Sequence, residues 1–350
     1  MRPDNRMDLP LPMLLIITNE ADIHPNPVID RLLERGAPFF RLNTDRLLTD
    51  YDVTWQLSDR DCHFEIKYKH ANHRITDREI SCVWERRPME PLATYDRIED
   101  DSVRRVILEE ADGFVRFLRY ALTYYKDLLW IGHPIHERRA GSKILQKLVA
   151  RDVGFRIPDS LFTNEIKALD PFREQTMAIK PICSFDIPTK DGAIVFYTRK
   201  VACREILALG ERSFRNNINF LETYIPKRDE WRITVIDGHF FSARIDSQKH
   251  AETSGAVDWR QGYDDSIAFV PADTPQELKQ GCLDFLARFD LRFGCFDFIR
   301  RPDGEYVFLE CNTNGQWLWL EDEGLDISSS LAQIFIEQIE HKRDRNNPAR

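Results

Sequence analysis

The sequence lacks the short motifs that mark several common classes of enzyme. No G-x-G-x-x-G follows its first apolar strand, which removes the usual fingerprint of a dinucleotide-binding site. The stretch Gly141-Ser142-Lys143 is similar to part of a P-loop but lacks the G-x-x-x-x-G-K spacing, and this disfavours a P-loop NTPase. The chain also has no nucleophile elbow and no H-E-x-x-H motif. Any catalysis by this chain must therefore use other groups.

Paired cysteines, excess positive charge and long apolar runs are missing as well. The 7 cysteines are scattered without a C-x-x-C pair, which argues against a zinc or thioredoxin-like site and suits a reducing cytoplasm. The formal net charge of −9 argues against a general nucleic-acid or membrane-surface binder. No apolar run is long enough to span a bilayer, and the N-terminus does not have the pattern of a signal peptide. These absences predict a cytoplasmic protein.

The composition is that of an ordinary globular chain, with 42% hydrophobic and 31% charged residues. Its 350 residues are enough for two or three domains. The pattern of apolar segments and turns predicts an α/β chain with five parts. These parts are a disordered tail (1–12), an N-terminal domain (13–129), a central subdomain (130–215), a C-terminal subdomain (216–341) and a frayed tail (342–350).

The N-terminal domain opens with a βαβ pattern. Met13 to Thr18 is a continuous apolar run, as expected of a buried parallel strand. Pro27 opens a helix that Gly36 ends, and Ala37 to Leu42 forms the next strand. Further along, residues 137–152 are predicted to form one helix, in which Lys143 and Lys147 share a face because they are four residues apart.

The stretch from Phe293 to Trp319 carries the strongest functional signal. If Asp303-Gly304 is the two-residue loop of a hairpin, Asp297 lies directly opposite Glu310, and Asn312 shares the face of Glu310. Facing carboxylates repel unless a cation lies between them. Hard cations such as Mg²⁺ prefer this all-oxygen set, usually completed by phosphate oxygens. The stretch predicts a metal–phosphate site. The alternative is a surface hairpin with solvated acids, which the flanking apolar residues disfavour.

Basic residues on other strands could bind the anion. Lys180 lies in the apolar strand Met177 to Pro181, where it either extends to solvent or clamps a phosphate. Arg232 and Arg244 lie on a second hairpin, and each either forms a structural ion pair or binds a carboxylate or phosphate. A two-residue loop at Asp237-Gly238 pairs Arg232 with Ala243 and places Arg244 on the opposite face, whereas a longer loop brings both arginines together.

This combination of lysines, arginines and an acidic hairpin resembles the ATP-grasp superfamily of carboxylate ligases. More narrowly, the chain resembles the maturases of ribosomal ω-ester and ω-amide peptides, the graspetides of the microviridin type. The resemblance covers nearly the whole chain, and the ending FLECNTNGQW is its most specific part. Its carriers are MLLIIT…RLNTDRL (13–48), VWERRP (83–88), SKILQKLVARDVGFRIPDSLFTN (142–164), AIKP (178–181), YIPKRDEWRITV (224–235) and DFIRRPDGEYVFLECNTNGQW (297–317).

The resemblance implies an ATP-grasp fold with an N-terminal βαβ pre-ATP-grasp domain and a nucleotide bound between the central and C-terminal domains. It implies contacts with ATP by Lys143, Lys180, Glu222, Tyr224, Ile225 and Glu230. It implies that Asp297, Glu310 and Asn312 bind Mg²⁺, and that Arg232 and Arg244 steady the transferred phosphate and the substrate carboxylate. One departure concerns the adenine hinge, which commonly reads Gln-Glu where this chain has Glu222-Thr223.

The implied activity is ATP-dependent macrocyclisation of a ribosomal precursor peptide with a leader and a core. An Asp or Glu side chain becomes an acyl phosphate, which a Ser or Thr hydroxyl or a Lys amine attacks to form an ester or amide crosslink. This chemistry needs no nucleophile from the enzyme. The resemblance also suggests a homodimer. Two alternatives remain: a ligase of small amino acids or glutathione-like carboxylates, and a catalytically silent, nucleotide-dependent peptide-binding module.

Overall fold

The structure, a computed structural model, describes residues 11–92, 98–183, 186–189, 192–248, 257–262 and 267–346. Most of the predicted N-terminal tail, residues 1–10, lies outside the described residues, as do residues 347–350 at the other end. The chain folds into a mixed α/β structure with several sheets, which confirms the predicted fold class. No helix in the part that is described has the length and apolarity needed to cross a bilayer.

The first part of the chain forms a parallel sheet with strand order β2-β1-β6-β7 and an antiparallel sheet of β3, β4 and β5. The predicted βαβ start is confirmed, since β1 and β2 pair in parallel on either side of α1. The elements are β1 (Met13–Thr18), α1 (Pro25–Glu34), β2 (Phe39–Asn43), α2 (Leu47–Asp50), β3 (Tyr51–Leu57), β4 (Cys62–Tyr68), β5 (His73–Thr76), β6 (Ile80–Glu85), α3 (Asp101–Leu122) and β7 (Leu129–Ile131).

The middle of the chain forms an antiparallel sheet of order β12-β9-β13-β8, with β10 and β11 as a separate hairpin. The elements are α4 (Pro134–Ala140), α5 (Lys143–Asp152), β8 (Ser160–Thr163), β9 (Thr176–Lys180), β10 (Asp186–Thr189), β11 (Gly192–Val195), β12 (Arg199–Ala202), α6 (Cys203–Ala208), α7 (Gly210–Phe214) and β13 (Asn219–Thr223). The prediction of one helix over 137–152 is wrong, because Ser142 accepts a hydrogen bond from the Leu145 amide and begins a new helix at Lys143.

The last part is built on a five-stranded antiparallel sheet of order β16-β15-β14-β17-β18. The prediction of a frayed tail from Lys342 is wrong as far as Asn346, since Lys342 is helical and its Nζ donates to the Ile80 carbonyl at 2.5 Å. The elements are β14 (Asp229–Ile236), β15 (His239–Ile245), β16 (Phe269–Pro271), α8 (Gln276–Phe289), β17 (Phe293–Arg300), β18 (Tyr306–Asn312), α9 (Leu318–Glu321) and α10 (Ile327–Asn346).

The five-stranded sheet is buried on both faces. On one face, Ile233 and Phe296 pack with Phe285 of α8 in an aromatic-rich core. On the other face, Ile236 belongs to a core that also contains Leu14 of β1 and residues of α10. The N-terminal sheet and the C-terminal sheet therefore share one core, and this packing holds the end of β6 close to the end of β18.

Candidate active site

The hairpin of β14 and β15 fixes the position of Arg232. Its loop has two residues, and both Asp237 and Gly238 have positive φ angles of 46° and 87°, as a type I′ turn requires. The register pairs Arg232 with Ala243 and leaves Arg244 opposite Trp231, on the other face of the sheet. The first of the two predicted registers is therefore confirmed, and the hairpin does not bring the two arginines together.

The hairpin of β17 and β18 pairs Asp297 with Glu310, as predicted. The loop that joins the two strands differs from the predicted one. The loop has three residues rather than two, since the Arg301 amide donates to the Glu305 carbonyl and Gly304 has a φ of +94°. The register then shifts by one between Asp297 and Phe298. The predicted two-residue turn is wrong, and the bulge restores the predicted pairing of the two acids.

Three charged residues consequently form a row across β14, β17 and β18. Arg232 lies opposite Asp297, and Asp297 lies opposite Glu310. Nη1 of Arg232 donates to both carboxylate oxygens of Asp297, at 2.9 and 2.8 Å. Lys143, the first residue of α5, donates its Nζ proton to Glu310 at 2.8 Å. Nδ2 of Asn312 donates to Asp297 at 3.1 Å and to Glu310 at 3.5 Å.

The two acids differ in their affinity for a proton. Burial raises the pKa of Asp297 to about 6, against the opposing charge of Arg232 and with a further contribution from Glu310. Burial also opposes the charge of Glu310, but the ion pair with Lys143 and the charge of Lys180 hold its pKa well below the ordinary value. Near neutral pH both carboxylates are therefore predominantly ionised.

The donor chemistry of this row fits a hard divalent cation. Two facing carboxylates and one amide supply oxygen ligands. Three protein ligands are fewer than the roughly six that such a cation binds, so phosphate or water oxygens would complete the set. The Asn312 amide now directs its nitrogen toward the acids, and it would offer its oxygen to a cation after a half-turn. The assignment of Mg²⁺ to these residues stays a prediction.

A second group of charges centres on Glu222 of β13. Its carboxylate lies 2.5 Å from the Nζ of Lys147 and 2.5 Å from the Nζ of Lys180. Burial lowers the pKa of Lys147 to about 8, with Glu222 opposing this shift and Lys180 adding to it. Burial would also lower the pKa of Lys180, but Glu222 raises it above the ordinary value. The carboxylate thus holds two lysines side by side.

The predicted site residues, with the exception of Arg244, line one cleft together with apolar and aromatic side chains. Arg244 is half-buried on the far face of the sheet and is not among the described lining residues. The predicted members of the lining are Lys143, Lys180, Glu222, Tyr224, Ile225, Glu230, Arg232, Asp297, Glu310 and Asn312.

The structure adds residues that sequence reasoning did not assign to the site. One of these residues is Lys147. Its spacing of four residues from Lys143 on the same helix was the sequence feature that could have indicated its place near the site. Lys147 reaches the site through its ion pair with Glu222. Lys227 lines the cleft itself and donates to Glu230 at 2.8 Å. Arg260 lines it too, and Asp258 orients its guanidinium through hydrogen bonds of 2.8 and 2.6 Å. No motif or spacing pointed to Arg260, because it follows β15 at a distance and not in a regular element of the sheet.

Comparison with known proteins defines the class of the fold. Residues 13–128 match the family described as the MvdD pre-ATP grasp domain. A RiPP-associated ATP-grasp ligase of Chryseobacterium gregarium, solved with ADP and a leader and core peptide, superposes with a TM-score of 0.83 at 24% identity, covering 94% of this chain and 97% of the other. The protein therefore has the ATP-grasp fold with a pre-ATP-grasp domain.

More particularly, the chain is similar over almost its whole length to peptide-modifying members of this class, which confirms the resemblance seen in the sequence. Macrocyclase MdnC of Microcystis aeruginosa, solved with precursor peptide MdnA, is 26% identical with a TM-score of 0.78, covering 93% of this chain and 99% of the other. ATP-grasp ligase PsnB, solved with minimal precursor, Mg and ADP, is 19% identical with a TM-score of 0.68, covering 93% and 98%. No curated protein matches in the corresponding sequence search.

Proposed function

We propose that the protein is an ADP-forming ATP-grasp ligase that crosslinks a ribosomally made precursor peptide. The observation that supports this most directly is the row of Arg232, Asp297 and Glu310 in the same cleft as Lys143 and Lys180. This combination of cations and acids in one cleft supports a role in metal-assisted phosphoryl transfer. Similarity to MdnC over nearly the full length of both chains supports a peptide as the substrate.

The lysines are proposed to hold the nucleotide phosphates. Lys143 and Lys180 now neutralise Glu310 and Glu222, and a phosphate chain offers each lysine a second anionic partner at short range. Lys147, buried behind them, keeps Glu222 charged and in place. Tyr224 and Ile225, between β13 and β14, are proposed to contact the adenine.

The other end of the cleft is proposed to bind the metal and the reacting groups. Asp297, Glu310 and Asn312 would hold Mg²⁺, which supplies charge neutralisation on the phosphates. Arg232 and Arg260 both line this region and are proposed to bind the peptide carboxylate and the transferred phosphate. Arg244, which was assigned this role from the resemblance, has no place in this scheme because it lies on the opposite face of the sheet.

The proposed reaction needs positioning rather than an enzyme nucleophile. A carboxylate oxygen of an Asp or Glu in the peptide attacks the terminal phosphorus of ATP, and ADP leaves. A Ser or Thr hydroxyl or a Lys amine of the same peptide then attacks the acyl carbon and loses its proton, and inorganic phosphate leaves. The row of charges keeps the anionic groups close and oriented. The free cysteines of the chain are consistent with a reducing, cytoplasmic setting.

Co-expression with candidate precursor peptides, chosen from short reading frames near the gene, followed by mass spectrometry, tests this function. We expect the peptide to lose one water for each ring, and purified protein to reproduce the loss only with ATP and Mg²⁺. Mild alkali then separates the two chemistries, since esters hydrolyse and amides do not. ATP turnover with free amino acids alone would indicate a small-molecule ligase, and peptide binding without turnover would indicate a silent binding module. Either result would overturn the proposal.

A further inference from the structure

Two sequence motifs that the proposed chemistry does not use meet in the structure. VWERRP begins in the last residues of β6 and continues beyond it, and NGQW follows β18. Nη1 of Arg86 donates to the carbonyl oxygen of Gly315 at 3.1 Å and to Oδ1 of Asn314 at 3.3 Å. Arg86 is only 1% exposed. Its bond to the Gly315 carbonyl is buried and its bond to Asn314 is partly buried.

Arg86 is itself held from the side of the N-terminal domain. Its Nε lies 2.9 Å from Oδ2 of Asp22, and the same carboxylate accepts hydrogen bonds from Thr18 at 3.2 Å and from the His24 amide at 3.2 Å. The His24 ring then meets the edge of Trp317 at 5.4 Å between centroids and accepts a hydrogen bond from the Trp317 amide at 3.4 Å. The loop is thus held at Asn314 by Arg86 and at Trp317 by His24.

The same loop packs closely against Asn312, the proposed metal ligand. Gly315 donates its amide proton to the Asn312 carbonyl at 3.2 Å. A Cβ added at Gly315 would lie 3.2 Å from Cβ of Asn312 and 2.7 Å from Cβ of Cys295, the residue paired with Asn312 across the hairpin. No side chain larger than hydrogen fits there without movement. The position of the loop therefore constrains the position of Asn312.

We infer that Arg86 is a positioning residue for the metal site, acting through Asn314 and Gly315 on Asn312. This inference rests on the proposed function. The residue type agrees with it, since a rigid guanidinium reaches two acceptors on the loop while its Nε faces Asp22, and a flexible ammonium does not reproduce that geometry. Burial lowers the pKa of Arg86 to about 10, and its Nη2 is buried without a partner in the described part of the chain. A buried charge with an unsatisfied donor contributes little to stability. This favours a role for Arg86 in positioning the loop.

Arg86→Lys tests the inference, with Arg119→Lys as the matched control. Arg119 is an arginine of the same domain that pairs with Glu85, the neighbour of Arg86, and donates nothing to the loop among its described hydrogen bonds. The measurement is ADP affinity by calorimetry as MgCl₂ is varied, with thermal unfolding recorded in parallel. We expect Arg86→Lys to weaken the apparent affinity for Mg²⁺ about tenfold and to leave ADP binding without Mg²⁺ unchanged. We expect Arg119→Lys to alter only the unfolding temperature.

Asn314→Ala is the second variant, in case Arg86→Lys does not fold. It removes one acceptor of Arg86 and keeps the Gly315 carbonyl, so we expect a smaller loss of about threefold in apparent Mg²⁺ affinity. The inference would be overturned if a folded Arg86→Lys protein bound Mg²⁺ with wild-type affinity. If Arg86→Lys does not fold, wild-type Mg²⁺ affinity in Asn314→Ala would overturn it. So would equal losses in Arg86→Lys and Arg119→Lys. Absence of Mg²⁺-dependent ADP binding in the wild-type protein would instead count against the proposed function.

Discussion

Two groups of buried charges flank the NGQW loop, and they differ in how their acids are paired. In the cleft group, each acid lies within 3 Å of a cation: Glu310 at 2.8 Å from Lys143, Glu222 at 2.5 Å from Lys147, and Asp297 at 2.8 Å from Arg232. We call the other set the interface group. It lies between the N-terminal domain and the loop and consists of Asp22, Glu85, Arg86, Arg119 and Glu137.

The interface group contains an acid without a described cation partner. Asp22 and Glu85 pair with Arg86 and Arg119, but Glu137 has only the Asn314 amide at 3.2 Å on one oxygen. The other oxygen of Glu137 is buried without a hydrogen bond in the described part of the chain. Burial, with the charge of Glu85 adding to it, raises the pKa of Glu137 to about 8.

The difference separates two uses of buried charge. Cations in the cleft can contact a phosphate in addition to their acids, and Mg²⁺ would balance the charge of the carboxylates proposed to bind it, so the same pairs suit both a bare and a loaded cleft. In the interface group, the buried acid without a described cation partner, Glu137, costs stability. Replacing a paired glutamate of the cleft group by glutamine should therefore be harmful, whereas replacing the unpaired glutamate of the interface group should stabilise the protein. The following substitutions test this comparison.

The largest effect is expected from Glu310→Gln in the cleft group. The amide removes one of the two carboxylates proposed to bind Mg²⁺, and it leaves Lys143 without its 2.8 Å partner. We expect turnover of the peptide to fall by at least about a thousandfold, while circular dichroism shows a folded protein. Glu305→Gln at the tip of the same hairpin is the control, with turnover within about twofold of wild type. Substantial activity in a folded Glu310→Gln protein would exclude Glu310 as a required ligand.

Glu222→Gln should have the next largest effect, on stability. Glu222 is 1% exposed and neutralises two lysines, and removal of one partner from a buried ionic group typically costs about 4 kcal/mol. Urea unfolding near neutral pH measures this loss. Glu211→Gln, which breaks an exposed pair with Arg215, should cost less than about 0.5 kcal/mol. Similar costs at both positions would mean that the two lysines do not need Glu222.

The two Asp-Gly hairpins explain what could be predicted of the site and what could not. The same dipeptide forms a two-residue loop at Asp237-Gly238 and belongs to a three-residue loop at Asp303-Gly304. The second hairpin recovers its register at a bulge, where β18 contacts residues that are distant in sequence. The Phe308 amide donates to the Arg156 carbonyl at 2.8 Å, and Lys147 donates to the Leu309 carbonyl at 2.8 Å. Local turn rules contain no information on either contact.

Other parts of the site were predictable because they follow from local periodicity. Alternation along β18 places Glu310 and Asn312 on one face, and helical spacing places Lys143 and Lys147 together. The break between α4 and α5 also had a local signal, a serine cap at Ser142. The partner of Lys147 had none, since Glu222 follows it by 75 residues along the chain.

The smallest effect, and the one of opposite sign, is expected from Glu137→Gln in the interface group. The pKa of Glu137 is about 8 in the folded protein against an ordinary value of 4.5. Below the ordinary value the carboxyl is protonated in both states, and stability is then lost as the pH rises toward the folded value. Glutamine resembles the protonated form at every pH. The variant should match the wild type at about pH 4 and become the more stable protein as the pH rises.

The expected gain follows from the slope of about 1.4 kcal/mol per pH unit. Between about pH 6 and about pH 7.5, the stability of Glu137→Gln relative to wild type should therefore rise by about 2 kcal/mol. Urea unfolding at these two pH values measures it, and Glu211→Gln, with an exposed acid, should show no such trend. A pH-independent loss of stability in Glu137→Gln would mean that the carboxylate has a cation partner in the folded protein. The interface group would then be paired like the cleft group, and the distinction between them would fail.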